Sequence, residues 1–107
     1  MVLKKDKAKV LDEVWTEARI RSFLDVQPAT GVNADYHALE KAYLQMRAED
    51  FALFVGFFMQ EQRNPQATNP QGQMLTEVIA NHRHSADFLS TLQTAQARYR
   101  AQGNAGQ

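Results

Sequence analysis

The run Phe51-Ala52-Leu53-Phe54-Val55-Gly56-Phe57-Phe58-Met59 decides how this chain folds. Its apolar residues do not alternate with polar ones as a half-buried strand requires, and no proline interrupts it. The spacing predicts a helix from about Ala48 to Gln62 whose apolar surface covers most of its circumference. Such a helix is normally buried between neighbours, so it is the expected centre of the core.

Working outward, the segment from about Ala34 to Arg47 places Tyr36, Leu39, Tyr43 and Met46 on one helical face, with Asn33 or Asp35 as its cap. On the other side, residues 63 to 72 form a loop ending in Asn69-Pro70-Gln71-Gly72. Asn, Pro and Gly stand there at the positions a type I turn prefers, and the loop is open to either a small β-finger or an irregular path. A short helix follows, about Met74 to Asn81, with Leu75, Val78, Ile79 and His82 on one face. Ser85 then caps a helix from about Ala86 to Arg100 with the stripe Phe88, Leu89, Leu92, Ala95 and Tyr99. Arg98 and Arg100 stand near its end, where cations suit the helix dipole. Nearer the N-terminus, Thr16 caps a helix from about Glu17 to Asp25. There Trp15 is placed to pack on Ile20, and Ile20, Phe23 and Leu24 form the stripe before Pro28 ends the segment.

Five helical segments and no strand make the expected fold all-α, with four to five helices as stacked helical hairpins, either ankyrin-like or a small bundle. Residues 1–12 are expected to be a mobile basic arm, 13–100 a single helical domain, and 101–107 a disordered tail. A length of 107 residues suits one domain. Twelve Lys plus Arg against twelve Asp plus Glu leave no net charge, which argues against a dominant polyanion-binding field. The chain has no cysteine, excluding disulfides, thiolate metal sites and a cysteine nucleophile. No run nears 18 apolar residues, and the start lacks an apolar stretch after its lysines, so the expectation is a soluble cytoplasmic protein without membrane contact.

The chain also echoes itself. Arg47-Ala48-Glu49-Asp50-Phe51 and His84-Ser85-Ala86-Asp87-Phe88 both place Asp-Phe at a helix start, 37 residues apart, and at that offset Ala42 matches Ile79 and Val55 matches Leu92. The turn Asn69-Pro70-Gln71-Gly72, reached through Gln66-Ala67-Thr68 and followed by a short and then a longer helix, resembles a divergent ankyrin repeat over residues 34 to 97. It departs where Met74-Leu75-Thr76-Glu77 replaces the Thr-Pro-Leu-His type of opening. Over nearly its whole length the chain resembles a small family of uncharacterised conserved hypothetical proteins of gammaproteobacteria. The resemblance is carried by Leu3-Lys4-Lys5-Asp6-Lys7, Arg21-Ser22-Phe23-Leu24-Asp25, Asp35-Tyr36-His37, Arg47-Ala48-Glu49-Asp50-Phe51, Ala67-Thr68 with Gly72, and His82-Arg83-His84. It implies no catalytic residues.

Four clusters invite a chemical reading. His82 and His84 diverge by about 200° on a helix, a poor chelating geometry unless the helix ends near Asn81 and His37 joins them. Glu49 and Asp50 diverge by about 100° and suit a helix start better than acid–base catalysis. The arm from Lys4 to Lys9 holds four lysines and one aspartate, a local surplus that could touch phosphates or an acidic partner. Finally, Ser90, Thr91, Gln93, Thr94 and Gln96 are expected to form the exposed face of the 86–100 helix, with Arg83 before it. That is the layout of a helix-turn-helix recognition element, short of phosphate anchors before Arg98.

The expected function is therefore a non-catalytic protein-interaction module of unknown partner, presenting helix faces and the 63–72 loop. Its candidate contacts are Lys4, Lys5, Lys7, Arg83, Gln93 and Gln96; no catalytic residue, metal or cofactor is assigned. A helix-turn-helix nucleic-acid binder using the helix 86–100 is the alternative. If the Phe51–Met59 helix overfills so small a core, the excess would form an exposed apolar groove, which a homodimer or another partner would cover.

Overall fold

The computed structural model describes residues 15–28 and 30–105. The expected basic arm, Lys4, Lys5 and Lys7 included, lies outside the described residues. The order is α1 (Glu17–Ser22), a 3-10 turn (Phe23–Asp25), α2 (Ala34–Gln45), α3 (Ala48–Gln60), α4 (Leu75–Ile79) and α5 (Ala86–Ala105). The all-α expectation holds. Among the described residues the only β feature is an isolated antiparallel bridge between Thr68 and Met74.

Local chemistry sets the helix starts. Thr16 caps α1, its hydroxyl accepting the Arg19 N–H at 3.1 Å. Trp15 makes its ring contact with Phe23, at 5.6 Å between centroids, and carries the Arg19 guanidinium over its face at 4.0 Å. Asn33, rather than Asp35, caps α2: its Oδ1 accepts from Asp35 N at 2.8 Å and from Tyr36 N at 3.2 Å. Asn33→Ala strands these donors and should cost about 1 kcal/mol, read as a lower urea midpoint with an unchanged m-value. Glu49 and Asp50 lie in the first turn of α3, where Asp50 is buried and accepts from Arg47 Nε at 3.3 Å. This is the helix-start role expected of them.

Two ends differ from expectation. α4 stops at Ile79, so His82 stands in the following turn instead of completing the helix's apolar face. α5 runs to Ala105 rather than ending near Arg100. Gly103 costs such a helix only about 1 kcal/mol, too little to stop it by itself. Arg98 and Arg100 are therefore not in the last turn, which holds no basic residue.

The core is built on α3. Phe51, Phe54, Val55 and Phe58 are buried there, joined by Ile20 and Leu24, by Tyr36, Leu39 and Ala42 of α2, by Leu75 and Ile79 of α4, and by Leu92 and Ala95 of α5. α2 pairs with α3 and α4 with α5, as two hairpins, and the most extensive packing joins α3 to α5. The 37-residue echo is a spatial register. Phe51 touches its counterpart Phe88 at 5.2 Å between centroids, while Ala42 and Ile79, and Val55 and Leu92, are buried pairs of equivalents. The starts of α3 and α5 thus lie side by side. Farther along, Gln96 in the middle of α5 reaches Pro65 beyond the end of α3, and Met59 and Arg98 line one cavity, so the two helices run in the same direction.

The connection from α3 back to α4 is clasped by Arg63. Two residues past α3, Gln62 stands at φ +60°, its N–H bonded to Met59 O at 2.9 Å and the Arg63 N–H bonded to Phe58 O at 3.3 Å. This left-handed residue reverses the chain at a cost of about 1–2 kcal/mol. The reversal aims Arg63 inward, where it donates to Asp35 Oδ1 and to Leu24 O, both at 2.7 Å, and stacks over Phe58 at 5.2 Å. Asp35 also accepts the Asn64 N–H at 2.9 Å. Beyond it, the Asn69–Gly72 turn closes as expected, with Gly72 N bonded to Asn69 O at 2.8 Å. Gly72 itself, at φ +81°, occupies a conformation that disfavours any side chain. The Asn69 carboxamide oxygen accepts from Gln71 N and Gln73 N, so the loop is a small finger with an ordered base.

Candidate functional site

α3 is not apolar all round in its environment. Ala52, Leu53 and Gly56 face solvent, and Leu53 is 55% exposed. The expectation that it is wholly buried is corrected: among the described residues α1, α2 and α5 make the extensive contacts with α3 and leave one flank uncovered. That flank, together with the adjoining side of α5, forms a groove of about 610 Å³. Ala52, Val55, Gly56 and Met59 line it from α3, and Ser90, Thr91, Thr94, Ala95 and Arg98 from α5.

The groove follows from residue size. Ala52 and Gly56 are one turn apart on α3, and Ser90 with Thr94 and Thr91 with Ala95 are one turn apart on α5. Small side chains on both walls leave open space where larger ones would interlock. A Cβ built at Gly56 meets nothing within 4 Å. The floor is apolar, formed by Val55 and Ala95, and hydroxyls line the α5 wall. On α5 the sequence Asp87, Ser90 and Thr91, Thr94, Arg98 follows the i, i+3/i+4, i+7, i+11 spacing of one face. Acid therefore stands at one end of this wall and base at the other, both exposed. Among the described residues neither Asp87 nor Arg98 has an ion-pair partner.

The expected contact residues do not converge. Arg83 is exposed in the turn between α4 and α5, and Gln93 is exposed on α5, on the opposite flank of Leu92 from Thr91. Gln96 is corrected: it is 6% exposed, its amide donating to Pro65 O at 3.2 Å and Thr76 Oγ1 at 3.4 Å. As residue i+4 from Leu92 it shares the core-facing stripe, and these bonds satisfy it there. Thr91 is half-buried in the groove rather than fully exposed.

His82 Nδ1 lies 2.9 Å from the Tyr43 hydroxyl, and Tyr43 meets Phe88 edge-on at 4.9 Å, so this imidazole joins the two hairpins. His84 stands exposed at φ +60°, and His37 is half-buried on α2. Among the described residues no three His, Cys, Asp or Glu side chains are placed to hold a metal, and no helix is long and apolar enough to cross a membrane. An exposed groove beside the Phe51–Met59 helix was expected if that helix overfilled the core, but its lining was not, and Gly56 within the aromatic run is the residue that marks it. The Arg63 clasp was signalled only by an arginine just before Asn64-Pro65.

No protein-family model matches the chain, and neither does any curated protein or solved structure.

Proposed function

We propose that the chain is a non-catalytic protein-interaction module, with the groove between α3 and α5 as its docking surface. The observation that carries this reading is the flank of α3 left open among the described residues: small residues on both walls and an apolar floor form a trough suited to an element of another protein. The spatial register of the echo supports reading the two hairpins as a divergent ankyrin-like pair, whose stacked faces serve recognition elsewhere.

Gly56→Glu tests it. The substitution meets open space and replaces a helix-weakening residue, so the fold should tolerate it. Used as bait in lysate, the native chain should capture proteins that Gly56→Glu loses by about tenfold or more. Leu44→Glu, on an exposed residue that is not part of the groove, should leave capture unchanged. Equal capture by the native chain and Gly56→Glu would remove the groove from the reading.

Exposed Arg83 and Gln93 support the second reading, nucleic-acid binding through α5. Asp87 opposes it, because an exposed carboxylate at the start of a recognition helix repels phosphates. Retardation of random duplex DNA at low salt, lost by about 200 mM, would favour the second reading.

A further inference from the structure

We infer that the occupant of the groove is a second copy of this chain, docked face to face so that each α5 runs antiparallel to its partner's. The inference rests on the groove being a docking surface and adds what docks there.

Charge placement carries it. Asp87 and Arg98 share the groove-facing side of α5 but stand about 16 Å apart along it, too far to pair with each other. Arg98 is not explained as a dipole cap, since α5 continues to Ala105. A partner that satisfies both charges must present base opposite Asp87 and acid opposite Arg98. The same surface does this when turned by a two-fold axis lying in the interface and perpendicular to the helices. The axis then passes midway between positions 87 and 98, between Leu92 and Gln93. Asp87 meets the partner's Arg98, and by symmetry the pair forms twice.

The register between hairpins places the same level on α3 between Val55 and Gly56. The residue with no side chain thus lies beside the axis, where two α3 helices must approach most closely. The other face-to-face arrangement, with the axis along the groove, lays α3 on the partner's α5. It would bring Arg98 level with the partner's Glu61 but oppose Asp87 to the partner's Glu49, one like charge to another, whereas the antiparallel arrangement pairs both charges.

Sedimentation equilibrium on the full chain tests this, with Asp87→Arg, Arg98→Asp and the double variant compared after circular dichroism has checked their helicity. The native chain should weigh twice 12.1 kDa, about 24 kDa, at tens of micromolar. Each single reversal opposes like charges at two places and should weaken dimerisation at least about tenfold; the double variant should return it to within about threefold. Gly56→Glu, which needs no change at a helix start, should be monomeric. A native chain monomeric at about 200 µM overturns the inference, as does a dimer indifferent to Gly56→Glu or a double variant that folds without regaining association. If the native chain is monomeric yet captures proteins that Gly56→Glu loses, the groove remains a docking surface and only its occupant is wrong. Monomer together with equal capture by both baits removes both.

Discussion

Phe51→Ala is expected to lower the unfolding free energy by about 3–5 kcal/mol and the Tm by at least about 12 °C. Phe51 is completely buried at the junction of the two hairpins, with its ring 5.2 Å from Phe88 and 6.4 Å from Phe54. Truncation removes the transfer free energy of a phenyl ring. It also leaves a cavity between two helices that cannot close without breaking their register. Leu53→Ala, two residues along the same helix, removes a side chain that is 55% exposed and should change stability by no more than about 0.5 kcal/mol. Thermal and urea melts of the two variants read the contrast. Comparable losses would mean that α3 is oriented differently against its neighbours.

Arg63→Ala should cost about 2–4 kcal/mol, an effect large for an arginine in a loop. Its side chain is 16% exposed and that of its partner Asp35 25%, so their 2.7 Å bond is screened far less than a surface ion pair. The guanidinium also satisfies the Leu24 carbonyl and covers Phe58, so its loss leaves a buried acceptor and an unpacked ring face together. Arg63→Lys should recover less than half of the loss, because a point charge cannot serve the carboxylate and the carbonyl in one plane. Urea unfolding distinguishes the two. A loss below about 0.5 kcal/mol for Arg63→Ala would show that the Gln62 reversal stands without its clasp.

Much of this architecture is written in local pattern. The spacing of Tyr36, Leu39, Tyr43 and Met46, the cap at Asn33 and the turn Asn69–Gly72 define helices and a loop that appear close to where they are expected. The 37-residue echo was also legible, and its meaning as a contact register between Phe51 and Phe88 follows once the hairpins stack. Long-range partners were not legible. Arg63 meets Asp35 across 28 residues, and no local period marks such a pair. Gln96 misled because its polarity suggested exposure, although its position one turn after Leu92 puts it on the buried face. A groove beside the aromatic run was foreseeable as the excess of an overfilled core, but its place was not, because which flank of α3 stays open depends on how the neighbouring helices pack.

That flank becomes a groove only because α3 and α5 lie side by side and run the same way. The chain lacks cysteine, so exposed pairs can be spin-labelled without background. Pulsed electron paramagnetic resonance between labels at Glu49 and Asp87, and separately at Glu49 and Arg98, tests the arrangement. In the parallel arrangement the first pair spans neighbouring helix starts, and the second should be longer by about 10 Å. A shorter distance from Glu49 to Arg98 than to Asp87 would mean that the helices run in opposite directions and that α3 and α5 form no such groove.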